Sequence, residues 1–401
     1  MDSFSLEACR RAPLADAALR VFDYLLEPTA LADVFTRHRG KSVERKIAFP
    51  DFVRLLADGL LGHRADSAHQ TFRLAIRDNT LDATVQAAYG KLARTPRTLR
   101  LGLFDHAAAR LHDLAPVGRP PSADAAGPAS PAGFRLLAFD GKKLKCVAHK
   151  RKALRGLHGN VYGGKLLVVQ DMRTKTAVAV EAVADGEAGD ALLVPGVVAR
   201  VRASTADPTP RLWIADRGFC DSRTLRLLGE GQDRYVMRYI SSHEFHRDST
   251  TPTRAGRDRQ GRAYVEEWGH PGSGERTVVV RKVTVTRPGL QPFAVVTNLS
   301  DADEYPADDP LELYRRRWGI ETMFRQVVRT FDPRHRIGST PQATVFQAVL
   351  CLLLYDVTLV VADVVAETAD RDRETVSLRL LFDSLRREVT GCFRWWDRTR
   401  W

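Results

Sequence analysis

Apolar positions in the first 115 residues recur with the period of amphipathic helices. Apolar side chains return every three or four residues in four stretches, 17–26, 52–60, 70–76 and 101–111. Pro50 falls at a first helical position, where a missing backbone N–H leaves no hydrogen bond unmade. The pattern therefore predicts a helical N-terminal region.

The pattern changes at residues 116–133, where repeated prolines disfavour both helix and strand. This stretch predicts a linker and a domain boundary. Beyond it, short apolar runs between turn residues predict strands at 134–139, 165–169, 177–183, 212–215, 235–240, 278–285 and 293–297. Helical spacing returns in 188–201, in 224–228 and in most of the chain beyond residue 306.

Composition narrows the class of protein. Of 401 residues, 44% are apolar and 27% charged, which is typical of a globular chain. A net charge of +12 at pH 7 favours a polyanionic partner, such as nucleic acid or an anionic membrane surface. The longest apolar stretch, 348–362, contains Asp356 and is shorter than the ~20 residues of a membrane span, so we expect no such span.

The cysteines are five in number and scattered: Cys9, Cys146, Cys220, Cys351 and Cys392. Without a Cys-x-x-Cys pair they indicate neither a disulfide framework nor a structural zinc site. His243 and His246 have a spacing seen in metal sites, but no third ligand is nearby, so a metal site is not expected there. The first residues lack the pattern of a secretory signal, which favours a reduced, cytosolic setting.

Three acidic residues stand where chemistry is common. Asp140 and Asp216 follow apolar strands, at strand ends that face the ligand crevice of α/β sheets. Glu321 lies on a predicted helix, where Tyr314, Arg317 and Glu321 follow one edge at spacings of three and four residues. Carboxylates without nearby His or Cys suit Mg²⁺, and two ions ~4 Å apart can promote phosphodiester cleavage.

The helix that carries Glu321 has sequence signals at both ends. Asp309 is predicted to cap it, Pro310 to occupy its first position and Glu312 to complete a capping box, while Pro333 ends it. Its apolar stripe consists of Leu313, Ile320, Phe324, Val327 and Phe331. Glu321 is therefore expected at the border of a core.

Basic residues accompany the acids. A run without acids follows Asp140 and contains Lys142, Lys143, Lys145, Lys150, Arg151, Lys152 and Arg155. Arginines surround Glu321 at positions Arg315, Arg316, Arg317, Arg325 and Arg329. A polyanionic substrate would account for both sets. Taken singly, each feature has a simpler interpretation, as a turn acid, a helix-surface ion pair or a solvated loop, and only the combination favours a site.

In combination, these motifs resemble those of DDE transposases of bacterial insertion sequences. The resemblance is to the group whose RNase H-like catalytic domain is interrupted by a β-rich insertion and whose signature is Tyr-x2-Arg-x3-Glu-x6-Lys. Tyr314, Arg317 and Glu321 reproduce the first three members of that signature. Asp216, followed by Arg-Gly-Phe, looks like the second acid of the family, and Asp140 fits the first.

The resemblance covers roughly residues 134–370 and has one departure. The position of the final Lys holds Val328, and Arg325 or Arg329 could supply the positive charge, although a guanidinium and an ammonium are not equivalent at phosphate.

The implied fold is α/β, an RNase H-like catalytic domain with a mixed sheet and helical regions at both ends. The expected division is 1–115 helical and DNA-binding, 116–133 linker, 134–242 first part of the catalytic core, 243–305 β-rich insertion, 306–335 the helix with the third acid, and 336–401 C-terminal and helical.

The resemblance also implies an activity. Asp140, Asp216 and Glu321 would hold two Mg²⁺ ions, with Mn²⁺ as a substitute, and the enzyme would cleave insertion-sequence ends and transfer the strands. Its partners would be double-stranded DNA, both terminal inverted repeats and target, and a second copy of the chain in a synaptic complex. It would act in the bacterial cytosol at the nucleoid, without a membrane.

The expected DNA-binding residues are Tyr314, Arg317, Arg325, Lys142, Lys143 and Trp268. Trp268 is a candidate for stacking on a flipped base in the insertion, but a tryptophan in a core is the simpler interpretation. The N-terminal helices would recognise the inverted repeats, and the basic residues at 37–39 are a weak candidate for phosphate contact.

Two other functions stay open at this point. Val328 is compatible with a catalytically weakened, transposase-derived DNA-binding protein. An RNase H-like nuclease that hydrolyses DNA without strand transfer would use the same acids. Cleavage assays with acid variants, and strand-joining products, would separate these three.

Overall fold

A computed structural model describes residues 13–61, 68–114, 131–144, 163–204, 208–240, 244–272, 278–330 and 340–399. Most of the predicted linker, the basic run beyond residue 144, His243 and Pro333 lie outside these ranges, as do Cys9 and Cys146. Of the described cysteines, Cys220 and Cys351 are buried free thiols.

The N-terminal region is helical, as its periodicity predicts. Its helices are α1 (Pro13–Leu25), α2 (Pro28–His38), α3 (Phe49–Leu61), α4 (Ala68–Arg77), α5 (Val85–Arg94) and α6 (Arg97–Leu114). Helices α2 and α5 lie outside the four stretches in which apolar residues recur with a helical period. Both begin at a side-chain cap, because Glu27 accepts hydrogen bonds from the first amides of α2 and Thr84 accepts one from α5.

Ten strands follow in the described part of the chain. They are β1 (Arg135–Lys143), β2 (Lys165–Asp171), β3 (Ala177–Val183), β4 (Arg211–Ala215), β5 (Arg234–Arg238), β6 (Phe245–Arg247), β7 (Arg254–Arg257), β8 (Ala263–Pro271), β9 (Val280–Val285) and β10 (Phe293–Thr297). All ten belong to one sheet of order β3-β2-β1-β4-β5-β10-β9-β8-β6, with β7 also paired to β8.

The sheet is mixed. Strands β1, β4 and β5 run parallel to one another, and every other pair is antiparallel, including β5 with β10. The predicted α/β class with a mixed sheet is thereby confirmed, and the arrangement is consistent with the RNase H-like fold that the resemblance implies. The strands between 245 and 297 extend the sheet beyond β5, and the domain boundaries drawn from the sequence stay a prediction.

Helices cover both faces of the sheet. Helices α7 (Val194–Ala203) and α8 (Ser222–Leu228) pack on one face, and α9 (Asp308–Arg316) packs on the other, over β1, β4 and β5. Helix α10 (Trp318–Thr330) follows α9, and α12 (Leu378–Thr399) is the last described helix. Between them, α11 (Pro341–Thr368) packs against the N-terminal helices and joins them to the sheet.

Helix α11 is longer than the apolar stretch 348–362 from which we expected no membrane span. It has 28 residues, so the stretch around Asp356 belongs to a helix long and apolar enough to cross a membrane, and length alone excludes nothing. However, 78% of its apolar window is buried inside the protein. Asp356 is itself fully buried and accepts hydrogen bonds from the backbone N–H of Ala177 on β3. These contacts are those of a core helix.

Candidate active site

The register of the sheet places Asp140 and Asp216 side by side. Strands β1 and β4 are parallel neighbours, and their last paired residues are Ala138 and Ile214. Asp140 and Asp216 each lie two residues beyond that pair, so both side chains leave the same face of the sheet. The sequence predicted that Asp140 follows the end of its strand. This prediction is wrong, because β1 continues to Lys143 by pairing with β2.

Glu321 reaches this face from a break between two helices. The single helix predicted from the sequence is two, because Arg317 separates α9 from α10. The backbone N–H of Arg317 donates to Tyr314, and that of Ile320 donates to Arg317, both with the tighter spacing of a 3₁₀ turn.

The predicted start of this helix is also corrected. Ala307 precedes the helix and Asp309 makes no cap, because Asp309 is buried and forms an ion pair with Arg259. Glu312 does not complete a capping box, since its carboxylate binds Arg315 and Arg316.

Tyr314 and Arg317 contact all three acids. The Tyr314 hydroxyl donates to Asp216 Oδ1 at 2.8 Å. Arg317 Nη2 donates to Glu321 Oε1 at 2.9 Å, and Arg317 Nη1 lies 3.7 Å from Asp140 Oδ2. The Arg317 guanidinium also lies 5.4 Å from the centroid of the Tyr314 ring. The structure therefore brings together the five residues that carry the sequence motif.

The electrostatics of the strand acids differ. Burial raises the pKa of Asp140 to about 6; the charges of Glu321 and Asp216 add to this rise, while Arg317 opposes it. Burial also acts to raise the pKa of Asp216, but hydrogen bonds from the Arg217 amide and the Tyr314 hydroxyl, with nearby arginines, lower it overall. Of these two strand acids, Asp140 is therefore the closer to protonation at neutral pH.

The donor chemistry of the site fits a hard divalent cation. The side chains of Asp140, Asp216 and Glu321 supply only oxygen, which is what Mg²⁺ and Mn²⁺ prefer. Burial is the main cause of the raised pKa of Asp140, and a cation would relieve the smaller contribution from the charges of Glu321 and Asp216. However, among the described residues no group of three or more acidic, histidine or cysteine side chains is arranged to hold a metal ion, and Arg317 contacts both Asp140 and Glu321.

Lys142 and Lys143 lie on opposite faces of the sheet, because successive side chains of a strand alternate. Lys142 shares the face of Asp140, and its ammonium lies 5.4 Å from the centroid of the Phe324 ring on α10. Lys143 points to the other face and forms a 2.7 Å ion pair with Glu187. The structure thus brings Lys142, but not Lys143, to the helix that carries Glu321.

Positions on the solvent side of α10 include Arg325 and Val328. Arg325 is exposed one turn after Glu321, and Val328, the residue at the position of the signature lysine, is 40% exposed. Arg325 therefore lies closer along the helix to Glu321 than Val328 does.

Trp268 lies on β8 and is half-buried. Its indole N–H donates to the carbonyl of Ser300, and its ring faces Arg281, a fully buried residue that binds Glu266 at 2.7 Å. These contacts match the simpler interpretation of a structural tryptophan.

Sequence reasoning missed two residues beside the site. Trp318 is 56% exposed and directly follows Arg317. The sequence feature that could have identified it is a large apolar residue outside the apolar stripe of the helix. Arg238 ends β5, with Nη1 3.9 Å from Asp216 Oδ1, and its signal was a basic residue at the end of a strand.

The histidine pair is partly described. His246 lies with its ring 5.1 Å from that of His270, and its Nε2 is 3.9 Å from Glu244, but His243 lies outside the described residues. Within the described ranges these side chains form no metal-binding group.

Comparison with known proteins gives one family. A family model described as "Transposase DDE domain" matches residues 131–357, more than half of the chain. No curated protein matches the sequence. Among solved structures, the chain is similar to one described as "Cryo-EM structure of piggyBac transposase synaptic complex with hairpin DNA (SNHP)". The TM-score is 0.48 and the identity 12%, covering 94% of this chain and 80% of that one.

Proposed function

The chain belongs to the transposase DDE domain family, and from this premise we propose that it cleaves insertion-sequence ends and transfers the strands to target DNA. The observation that carries the proposal is the convergence of Asp140, Asp216 and Glu321 on the Tyr314–Arg317 pair. Three carboxylates from two parallel strands and one helix are a donor set suited to phosphoryl transfer.

In this mechanism the three carboxylates hold divalent cations, Mg²⁺ or Mn²⁺. When bound, such ions activate an attacking oxygen and stabilise the leaving oxygen of a phosphodiester. The protein contributes position and charge and forms no covalent bond to DNA. Tyr314 and Arg317 orient the acids in the absence of DNA and become donors to phosphate when a strand is bound.

The proposed DNA partners are the terminal inverted repeats and the target duplex. The net charge of +12 supports a polyanionic partner. We further propose that two copies of this chain join two DNA ends in the bacterial cytosol, because strand transfer of a mobile element requires both of its ends in one complex.

Residues around the acids suggest a path for the strand. Lys142 and Arg325 are the proposed phosphate contacts near Glu321, and Trp318 is the proposed aromatic contact, because it is exposed whereas Trp268 is hydrogen bonded in the insertion. Lys143, which is paired with Glu187, is proposed only as a peripheral contact.

A cleavage assay tests this proposal. The full chain is incubated with labelled inverted-repeat DNA and Mg²⁺, and cut and joined products are resolved by gel electrophoresis. We expect Asp140→Asn and Glu321→Gln to abolish both products. Glu312→Gln is the matched control, because Glu312 is also helical and arginine-paired but contacts Arg315 and Arg316. Cleavage that survives both acid substitutions would refute the proposal.

The same assay separates the two other functions. Val328 at the lysine position favours a DNA-binding protein with weakened catalysis, which would bind DNA in a salt-sensitive manner without cutting it. A nuclease without strand transfer would give nicked DNA and no joined product.

A further inference from the structure

The surroundings of Arg317 are unusual for a residue expected to bind DNA. Its side chain is only 4% exposed, and it packs against the ring of Tyr314. Nη2 donates to Glu321, but Nε and Nη1 are buried without a hydrogen-bond acceptor. Buried guanidinium donors normally have acceptors, so this geometry is costly unless the charge itself is needed there.

The positive charge of Arg317 offsets the repulsion between the three neighbouring carboxylates. Asp140, Asp216 and Glu321 converge on the Tyr314–Arg317 pair, and like charges held close together repel one another. Arg317 opposes that repulsion from a position 2.9 Å from Glu321 and 3.7 Å from Asp140. Within the described ranges, Arg317 is the one basic residue that forms ion pairs with Asp140 and Glu321.

Arg317 also occupies oxygens that a metal ion would use. Oxygens that share one Mg²⁺ each lie about 2.1 Å from it, so they are close neighbours. Here the two terminal nitrogens of one guanidinium face Asp140 Oδ2 at 3.7 Å and Glu321 Oε1 at 2.9 Å. In this arrangement the described acids form no metal-binding group.

We propose that Arg317 is the resident counter-ion of the metal-free site, which a divalent cation must displace from Asp140 and Glu321. This inference rests on the proposed function. Displacement leaves the guanidinium with no carboxylate partner and frees it for a DNA phosphate. Metal binding and DNA binding are therefore coupled through one side chain, and Arg317 acts as a positioning residue for the acids before any substrate arrives.

Mn²⁺ binding without DNA tests this inference. The dissociation constant of the full chain for Mn²⁺ is measured by electron paramagnetic resonance for the wild type, Arg317→Ala and Arg325→Ala. Arg325 is the matched control, since both arginines are four residues from Glu321 but only Arg317 is bonded to it. We expect Arg317→Ala to tighten Mn²⁺ binding at least about tenfold, because a competing charge is removed, and Arg325→Ala to change it less than about twofold.

Further variants make the outcomes distinct. If circular dichroism shows that Arg317→Ala does not fold, Arg317→Gln carries the same expectation, because it removes the charge and keeps a hydrogen-bond donor. Asp140→Asn and Glu321→Gln should each weaken Mn²⁺ binding, which locates the ion. Acid-dependent binding that is unchanged or weakened in the uncharged Arg317 variant overturns this inference alone. A wild type that binds no Mn²⁺ overturns the proposed function.

Discussion

Two carboxylates flank the parallel strands β4 and β5 at opposite ends, and their environments differ. Asp233 lies just before β5 and is 4% exposed. It accepts hydrogen bonds from the backbone N–H of Arg211, the guanidinium of Arg202 and the indole of Trp213. Asp216, at the other end of β4, accepts hydrogen bonds from the Tyr314 hydroxyl and the Arg217 amide, and its nearest guanidinium is 3.9 Å away.

The difference in hydrogen bonding distinguishes a carboxylate that stabilises the sheet from one that is suited to bind a ligand. The acceptor sites of Asp233 are occupied by donors from the chain itself, which fixes its position and leaves little capacity for a ligand. Asp216 is half-exposed and has lone pairs free for an incoming cation. A buried, saturated carboxylate supports the fold, whereas an under-bonded one beside other acids is suited to catalysis.

The largest expected effect is at the under-bonded end. If the proposed function holds, Asp216→Asn should reduce DNA cleavage at least about 10³-fold, because it removes one of the charges proposed to hold the cation. The free energy of unfolding, measured in urea, should change by less than about 1 kcal/mol. An active variant would show that Asp216 has no role in the chemistry.

The converse effect is expected at Asp233. Asp233→Asn should lower the free energy of unfolding by about 3 kcal/mol, since it leaves Arg202 without its buried partner. Glu230→Gln is the control, because Glu230 binds the same arginine from a 58% exposed position and should cost less than about 0.5 kcal/mol. Equal losses in the two variants would remove the distinction between the ends.

A smaller effect, of opposite sign, is expected at Asp140. Its pKa of about 6 in the folded chain exceeds the ordinary value of 3.8, so the folded state binds this proton more tightly than the unfolded state. Wild-type stability should therefore fall as the pH rises through this window. Asp140→Asn should be more stable than the wild type by about 2 kcal/mol at pH 8 and should lose this advantage towards pH 4.

Metal-free urea denaturation at several pH values provides the measurement for Asp140. A variant that is less stable than the wild type at pH 8 would contradict the view that burial and the neighbouring acids disfavour the charged form of Asp140. The same series for Asp233→Asn should show a loss of stability at pH 8, and so compare the two ends directly.

The smallest expected effect concerns the glycine behind Asp140. A Cβ at Gly141 would collide with the carboxylate of Asp190, which is held by Lys165. Gly141→Ala should lower the free energy of unfolding by about 1 kcal/mol, as overpacking does. Gly218, beside Asp216, has open space around it, so Gly218→Ala is the matched control. A tolerated Gly141→Ala would show that Asp190 can move.

Local patterns in the sequence predicted much of the fold and the acids. Apolar runs predicted β4 and β5 closely, and helical spacing predicted α3 and α6, because period and turn residues act over a few positions. The acids Asp216 and Glu321 were recognisable from their motifs. That Asp140 lies beside Asp216 depends on the register between strands, which no local pattern specifies.

Other features depend on tertiary contacts. The break between α9 and α10 lies at Arg317, whose side chain contacts Asp140 and Glu321, and the helical period of the local sequence does not mark it. That Lys142 and Lys143 lie on opposite faces of the sheet could not be predicted without knowing that β1 extends through both residues. The pairing of β1 with β2 sets that extent. Helix α11 extends beyond the apolar stretch 348–362 at both ends, and polar residues such as Gln347 are also buried in it.

The antiparallel contact of β10 with β5 has a practical consequence for anyone who shortens this protein. Val236 and Met237 are paired on that side with Thr297 and Val296. Excising the segment between residues 241 and 300 would bare the backbone amides of an apolar strand, which is a template for intermolecular aggregation. A shortened version of this protein must therefore keep β10 or supply a substitute for it.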